Sequence, residues 1–371
     1  MAEALKHLIG PHTARDTADA VAAAWDGFDR AAFLAEVLPA LDDLELMQRG
    51  QCIADALRRH LPGDFEAAAN ILHACLPTSE RPGLTGWALL AVNQYVAAED
   101  APHLEAALEL LKALTPHFTG EFGIRRLIHE HQDEALAIIA TWVTCPNHHV
   151  RRLASEGTRP RLPWAMRLPN LVRDPAPILP ILEALIDDEE DYVRRSVANS
   201  LNDIAKDHPD LVADFVERHA VGASKNRLWL LKHASRTLVK KGHGKALANF
   251  GYAPLADVTA KLSLADERIV FPGELGFTIQ LTNTGKVTRT VLLDYAIHHQ
   301  KKDGSLTPKV FKGKSLVLGA GESVTIAKRH ALRPITTRVY HPGLHRLEIQ
   351  LNGVSVASAD FDLAVPAGKT A

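Results

Sequence analysis

Three carboxylates and one indole in the middle of the chain have the types and settings needed to act on a positively charged centre. Glu121 follows Thr119-Gly120 and opens EFGIRRLIHEH, Glu156 closes HHVRRLASE, Asp203 lies in VRRSVANSLND, and Trp164 sits in the Pro-rich basic run RPRLPWAMRLP. A fixed carboxylate stabilises positive charge as it develops and can orient an attacking water. An aromatic face attracts a cation. The set therefore suits cleavage of a bond to a cationic leaving group through an oxocarbenium-like transition state. Each residue also has a plain structural explanation. Glu121 could favour a helix N-terminus, Glu156 could be an i, i+4 partner of Arg152, Asp203 could pair with Lys206, and Trp164 could belong to the core.

Cations recur beside these acids. HHVRRLASEG (148–157), DYVRRSVANSL (191–201) and LWLLKHASRTL (228–238) superpose at Val150, Val193 and Leu230. The offsets of 43 and 37 residues lie near the ~40–47 of HEAT repeats. Arg152 with Glu156, then Arg195 with Asn199 and Asp203, then Lys232 with Arg236 and Lys240, recur at steps of four, so each group is expected to share a helix face. Stacked repeats would line these stripes, with Lys206 beside them, along one concave surface able to track phosphates. The bland alternative is a set of solvated faces paired with acidic turns.

The elements that must position these groups change near residue 254. Before it, AVAAAWDGF, FLAEVLPAL and LEAALELLKAL carry apolar residues at helical spacing, broken briefly at Pro62-Gly63, Pro82-Gly83 and Pro146. Pro209 has the fixed φ and missing N–H suited to a helix start. After it, LGFTIQLTN, RTVLLDYAIHH, ESVTIAKRHAL and HRLEIQL alternate apolar and polar residues, with turns at Asn283-Thr284-Gly285, Asp303-Gly304 and Asn352-Gly353. The pattern predicts a multidomain chain, α then β. A HEAT-like α-helical repeat array (an α-solenoid) would span 1–254. An immunoglobulin-like β-sandwich of about seven strands would span 255–371.

At 46% apolar and 23% charged residues, the composition is that of an ordinary globular protein. No apolar run approaches the ~18 residues of a membrane helix. The first residues lack the charged start and long apolar core of a signal peptide. Three widely spaced cysteines exclude a CxxC-type zinc site and leave a reducing cytoplasm as the expected compartment. His129/His131, His148/His149 and His298/His299 are not at metal-ligand spacing and are read as surface or turn residues. Net charge is −2, but unevenly spread: −9 over residues 1–120, +2 over 121–254 and +5 over 255–371. A polyanion would meet the last two segments. Walker, GxSxG and HExxH motifs are absent.

VRRSVANSLNDIAKDHP, followed by LLKHASRTLVKKGHGKAL, resembles the AlkC/AlkD family of DNA alkylation-repair glycosylases. FTGEFGIRRLI and CPNHHVRRLASEGTRPRLPWAMRLP look like its AlkC branch. The specific motifs span 115–247, and a C-terminal Ig-like domain fits that branch. The resemblance implies base excision repair in double-stranded DNA. Positively charged bases such as 3-methyladenine and 3-methylcytosine would be excised without full base flipping, by a monomer needing no metal or organic cofactor. It also implies that Glu121, Glu156, Trp164 and Asp203 face the lesion and that Arg152 contacts DNA. No lysine is evidently placed for a Schiff base, so hydrolysis without a lyase step is expected. The basic run His298–Lys314 is the candidate DNA contact of the β domain, or else only a solvated edge. The competing reading is a non-enzymatic HEAT scaffold that binds DNA or a protein partner.

Overall fold

The computed structural model describes residues 5–98, 103–336 and 338–366. Helices run from Pro11–Ala24 to Gly244–Ala248, and strands from Val258–Leu264 to Val354–Ala364. The chain forms two compact units. One takes the chain up to Asp207 together with Ser224–Ala234. The other takes His208–Ala223 and the chain from Ser235 onward. No helix among the described residues is long and apolar enough to cross a membrane.

Six of the candidate residues, Arg152, Glu156, Arg195, Asn199, Asp203 and Lys232, rest on three neighbouring helices of the first unit: His148–Glu156, Asp191–Ile204 and Lys225–Ala234. Asn147 caps the first, its side chain accepting from the His149 N–H at 2.9 Å. Asp191 lies in the first turn of the second, where a negative charge favours the helix. Val193, Val197, Leu201 and Ile204 recur at helical spacing and are buried. Burying each such side chain stabilises the fold by roughly 1.5–3 kcal/mol. A charge at Val197 would break this face. The first helix packs on the second, and the second on the third. Ser155 donates to Ser196 across the first contact at 2.7 Å, so a buried hydroxyl pair fixes the two helices against each other.

The third copy of the pattern is interrupted. Its helix ends at Ala234, and a separate one, Arg236–Lys240, follows Ser235. The expected Lys232–Arg236–Lys240 stripe therefore falls on two helices in different units, with a turn at Ser235 (φ −83°, ψ 0°) between them. Pro209 does begin Pro209–Ala220.

In the second unit, eight strands form two sheets. One has the order β1 (Val258–Leu264), β3 (Gly273–Asn283), β6 (Ser323–Leu332). The other runs β2 (Arg268–Val270), β8 (Val354–Ala364), β7 (Gly343–Leu351), β4 (Arg289–Gln300), β5 (Leu306–Leu318). Alternate residues of both sheets enter one apolar cluster, including Phe277, Ile279, Leu293, Ile297, Leu347 and Phe361. Asn352 and Gly353 join β7 to β8 with φ of 47° and 79°, the left-handed pair that a two-residue hairpin of the type I′ class requires.

His299 corrects its reading as a surface residue. On β4 the alternation turns it inward. It is 6% exposed, lies against Tyr340 and His345, and neither ring nitrogen has a hydrogen-bond partner. His298, one position away, pairs with Glu348 at 3.0 Å. Burial, reinforced by Arg338 and His345, pushes His299 down to about 3, and burial and Arg338 push His330 to about 4. Both folded-state values lie below the ~6.5 of an unfolded histidine. The stabilising contribution is therefore complete above that value and is lost as pH falls toward 4. Thermal unfolding at pH 7.5, 6 and 4.5 should show falling midpoints, and His299→Phe should flatten the trend. A variant with the wild-type slope would remove His299 as the cause.

Candidate functional site

Glu156 is the last residue of its helix, and Asp203 lies in the last turn of Asp191–Ile204. Helix-to-helix packing brings both ends to one place, where Arg159 joins them. Its Nη1 donates to Glu156 Oε1 at 2.6 Å, and its Nε and Nη2 each reach Asp203 Oδ2 at 2.8 Å. Lys206 Nζ donates to the other Asp203 oxygen, Oδ1, at 2.8 Å. On the far side, Arg152 Nη1 donates to Glu121 Oε2 at 2.9 Å and Arg152 Nη2 lies 3.5 Å from Glu156 Oε1. Thr119 Oγ1 also donates to Glu121 Oε2, at 2.9 Å. Glu121, Arg152, Glu156, Arg159, Asp203 and Lys206 thus alternate in sign along one chain of contacts.

The three acids are not equivalent in this chain. Both oxygens of Asp203 are committed to cations, and the residue is 2% exposed. Among the described residues, Glu156 finds partners only for Oε1 and Glu121 only for Oε2. One oxygen of each therefore stays open to a water or an incoming cation. Burial works against the charge on Arg159, but Glu156 and Asp203 outweigh it and hold its pKa above the usual guanidinium value. Arg152 also lies over the Tyr192 ring, 4.8 Å from its centroid, so the guanidinium is fixed by an aromatic face as well as by two acids.

The stripe Arg195–Asn199–Asp203 does not share one face. Eight residues at 3.6 per turn leave a rotation of about 80°. Arg195 stays exposed and pairs with Asp191, while Asp203 turns into the buried network. Arg195 lies 5.1 Å over Trp229, which stacks on His233, and the His233 ring nitrogen Nε2 is 3.3 Å from Asn199 Oδ1. Lys206 is exposed and tied to Asp203. Glu156, expected beside Arg152, has its shorter contact with Arg159. Lys232 and Lys240 are exposed, and Arg236 is half-buried.

Trp164 is not part of this network of ion pairs. It is 84% exposed and has φ of 63° in the loop between Glu156 and Pro169, which excludes a core role. Left-handed backbone at a bulky residue is strained.

Arg159, Thr119 and Tyr192 escaped the sequence reading. For Arg159, the available signal was Glu156-x-x-Arg159, a three-residue step running past a helix end into a Pro-rich segment. Among the described residues, no group of three or more His, Cys, Asp or Glu is placed to hold a metal ion.

Residues 84–251 match the model of a family described as DNA alkylation repair enzyme. Residues 258–365 match that of the C-terminal Ig-like domain of the uncharacterised protein YhaZ. The chain is 36% identical over 322 residues to the uncharacterised protein YhaZ of Bacillus subtilis (strain 168), covering 86% of this chain and 88% of that one. A solved structure of Pseudomonas fluorescens alkylpurine DNA glycosylase AlkC, bound to DNA containing an abasic site analogue, superposes with a TM-score of 0.83. It is 33% identical, over 97% of this chain and 99% of that one.

Proposed function

Because the chain belongs to the DNA alkylation repair enzymes, as an AlkC-type member with a C-terminal Ig-like domain, we propose that it is a DNA glycosylase. Its substrates are positively charged N-alkylated bases, 3-methyladenine and 3-methylcytosine, in double-stranded DNA. The observation that carries this reading is the pair of open carboxylate oxygens, on Glu156 and Glu121, at the edge of a network fixed by Arg152 and Arg159.

A cationic base needs no acid to leave, since breaking its bond to C1′ discharges it. What remains is stabilising positive charge on the sugar and directing a water. Glu156 Oε2 serves both needs: it faces the developing cation, orients the water and takes its proton. Glu121 adds negative charge, Asp203 anchors Arg159, and the exposed Trp164 indole meets the lesion. Excision then proceeds without drawing the base fully from the duplex and without a lyase step. Arg195, Asn199, Lys232, Arg236 and Lys240 hold the phosphates, with Arg152 and Lys206 at the edge of the acids. In this reading 1–254 is a HEAT-like solenoid that carries the chemistry. Residues 255–371 are an Ig-like sandwich that adds DNA contact, and the enzyme acts as a monomer.

The test is release of free methylated base from alkylated duplex DNA, measured by mass spectrometry. A folded, DNA-binding protein that releases none is a scaffold instead. Binding should weaken linearly in log Kd against log salt. Lys232→Ala or Lys240→Ala should each shallow that slope by about 1. Unchanged slopes would remove these lysines from the phosphate contacts.

A further inference from the structure

Arg125, on the short helix Ile124–Glu130, is fully buried and has no carboxylate partner among the described residues. Its guanidinium meets only carbonyls: Nη1 donates to Gly157 O at 2.9 Å and to Arg159 O at 2.8 Å, and Nε to Met166 O at 2.6 Å. Nη2 has no hydrogen-bond partner. A buried cation answered only by carbonyl dipoles is costly, and one left partly unpaired more so. The expense coincides with one short stretch of chain. Gly157 and Arg159 begin the loop that leaves the Glu156 helix, and Met166 lies two residues beyond Trp164.

The approach is close. A Cβ at Gly157 would fall 2.0 Å from Ile124 Cδ1, so any larger residue there would have to displace the Ile124 side chain on the helix that carries Arg125. One backbone bond, Leu168 N to Pro160 O at 3.2 Å, closes the loop on itself. The exposed, left-handed Trp164 has little packing of its own to hold it. Burial and the neighbouring Arg159 push Arg125 down to about 10, while Glu121, Asp203 and Glu156 pull the other way. The guanidinium therefore lies within the field of all three acids without touching any.

We propose that Arg125 is a positioning residue for base excision. By holding Gly157, Arg159 and Met166 from one guanidinium, it fixes where the Trp164 indole stands relative to Glu156 and Asp203. The proposal rests on the glycosylase reading, since it assigns Arg125 a part in that reaction.

The test uses the full chain with Arg125→Lys, which keeps a cation but has no planar fork to span three carbonyls, and Arg125→Met, which keeps bulk without donors. Four quantities are read: single-turnover excision at saturating enzyme, affinity for undamaged duplex, amide exchange across 157–168, and thermal midpoint. Arg125→Lys should keep its midpoint and duplex affinity, exchange at least tenfold faster within 157–168 alone, and excise about 100-fold more slowly, as expected for a misplaced reacting group. Trp164→Ala should add nothing further on the Arg125→Lys background, because both remove the same placement. If Arg125→Met does not fold, Arg125→Lys decides. Excision within threefold of wild type, unchanged local exchange, or fully additive losses would overturn the proposal. If the wild-type protein releases no base, it is the glycosylase reading that fails. The exchange of 157–168 then still shows whether Arg125 holds the loop.

Discussion

Glu156→Gln should slow base excision by about 100- to 1,000-fold, the range seen when one preorganised electrostatic group is removed, while leaving duplex affinity nearly unchanged. Glutamine has the same shape. Its amide oxygen can keep accepting from Arg159, now bonded to Oε1 at 2.6 Å, which turns the amide N–H₂ toward the position of the open Oε2. A donor then faces the forming cation where an acceptor stood, and no base remains to take the proton of water. The measurement is the single-turnover rate on a 3-methyladenine duplex beside the Kd for undamaged duplex. Loss confined to the Kd would make Glu156 a binding residue. A rate within threefold of wild type would move the chemical role to Glu121, the other acid with an uncommitted oxygen.

The second large effect is on stability. Arg159→Leu leaves Glu156 and Asp203, 6% and 2% exposed, without their shared counter-charge. Breaking a buried ion pair in this way costs about 3–5 kcal/mol, on the order of 10 °C in thermal midpoint for a unit of this size. Discharging the stranded acids should reverse much of that. Arg159→Leu combined with Glu156→Gln and Asp203→Asn should recover more than half of the lost midpoint, because the two side chains then carry no desolvated negative charge. Calorimetry of the single and triple variants decides. A triple variant no more stable than Arg159→Leu alone would mean that Arg159 acts through packing rather than charge.

The parts of the molecule legible in its sequence are those governed by short-range periodicity. The Asp191–Ile204 helix followed from its acidic start and its Val193, Val197 and Leu201 face. The long strands followed from period two, and the β7–β8 turn from Asn352-Gly353. β2 was missed because three residues, Arg268–Val270, carry too little pattern, whereas β1, VTAKLSL, alternates throughout and was there to be read. The three acids could be picked out as unusual beside so many cations, but not their connections. Arg159 reaches Asp203 across 44 residues, a distance set by packing that no local spacing encodes. His299, by contrast, was legible from periodicity, since it continues the buried face of Val291, Leu293, Tyr295 and Ile297 at period two.

Helical arrays ordinarily change length by whole units, since each unit touches only its neighbours. Here that freedom stops at one guanidinium. Arg159 takes one acid from the end of His148–Glu156 and the other from the end of Asp191–Ile204, while Ser155 and Ser196 join the same two helices higher up. The pair is bound as one piece: duplicating, deleting or transplanting either helix alone would strand half of an ion network inside the protein. Independence of neighbouring units is in this way restricted where chemistry is proposed, and again where Arg151 of the first helix reaches Asp188 ahead of the second.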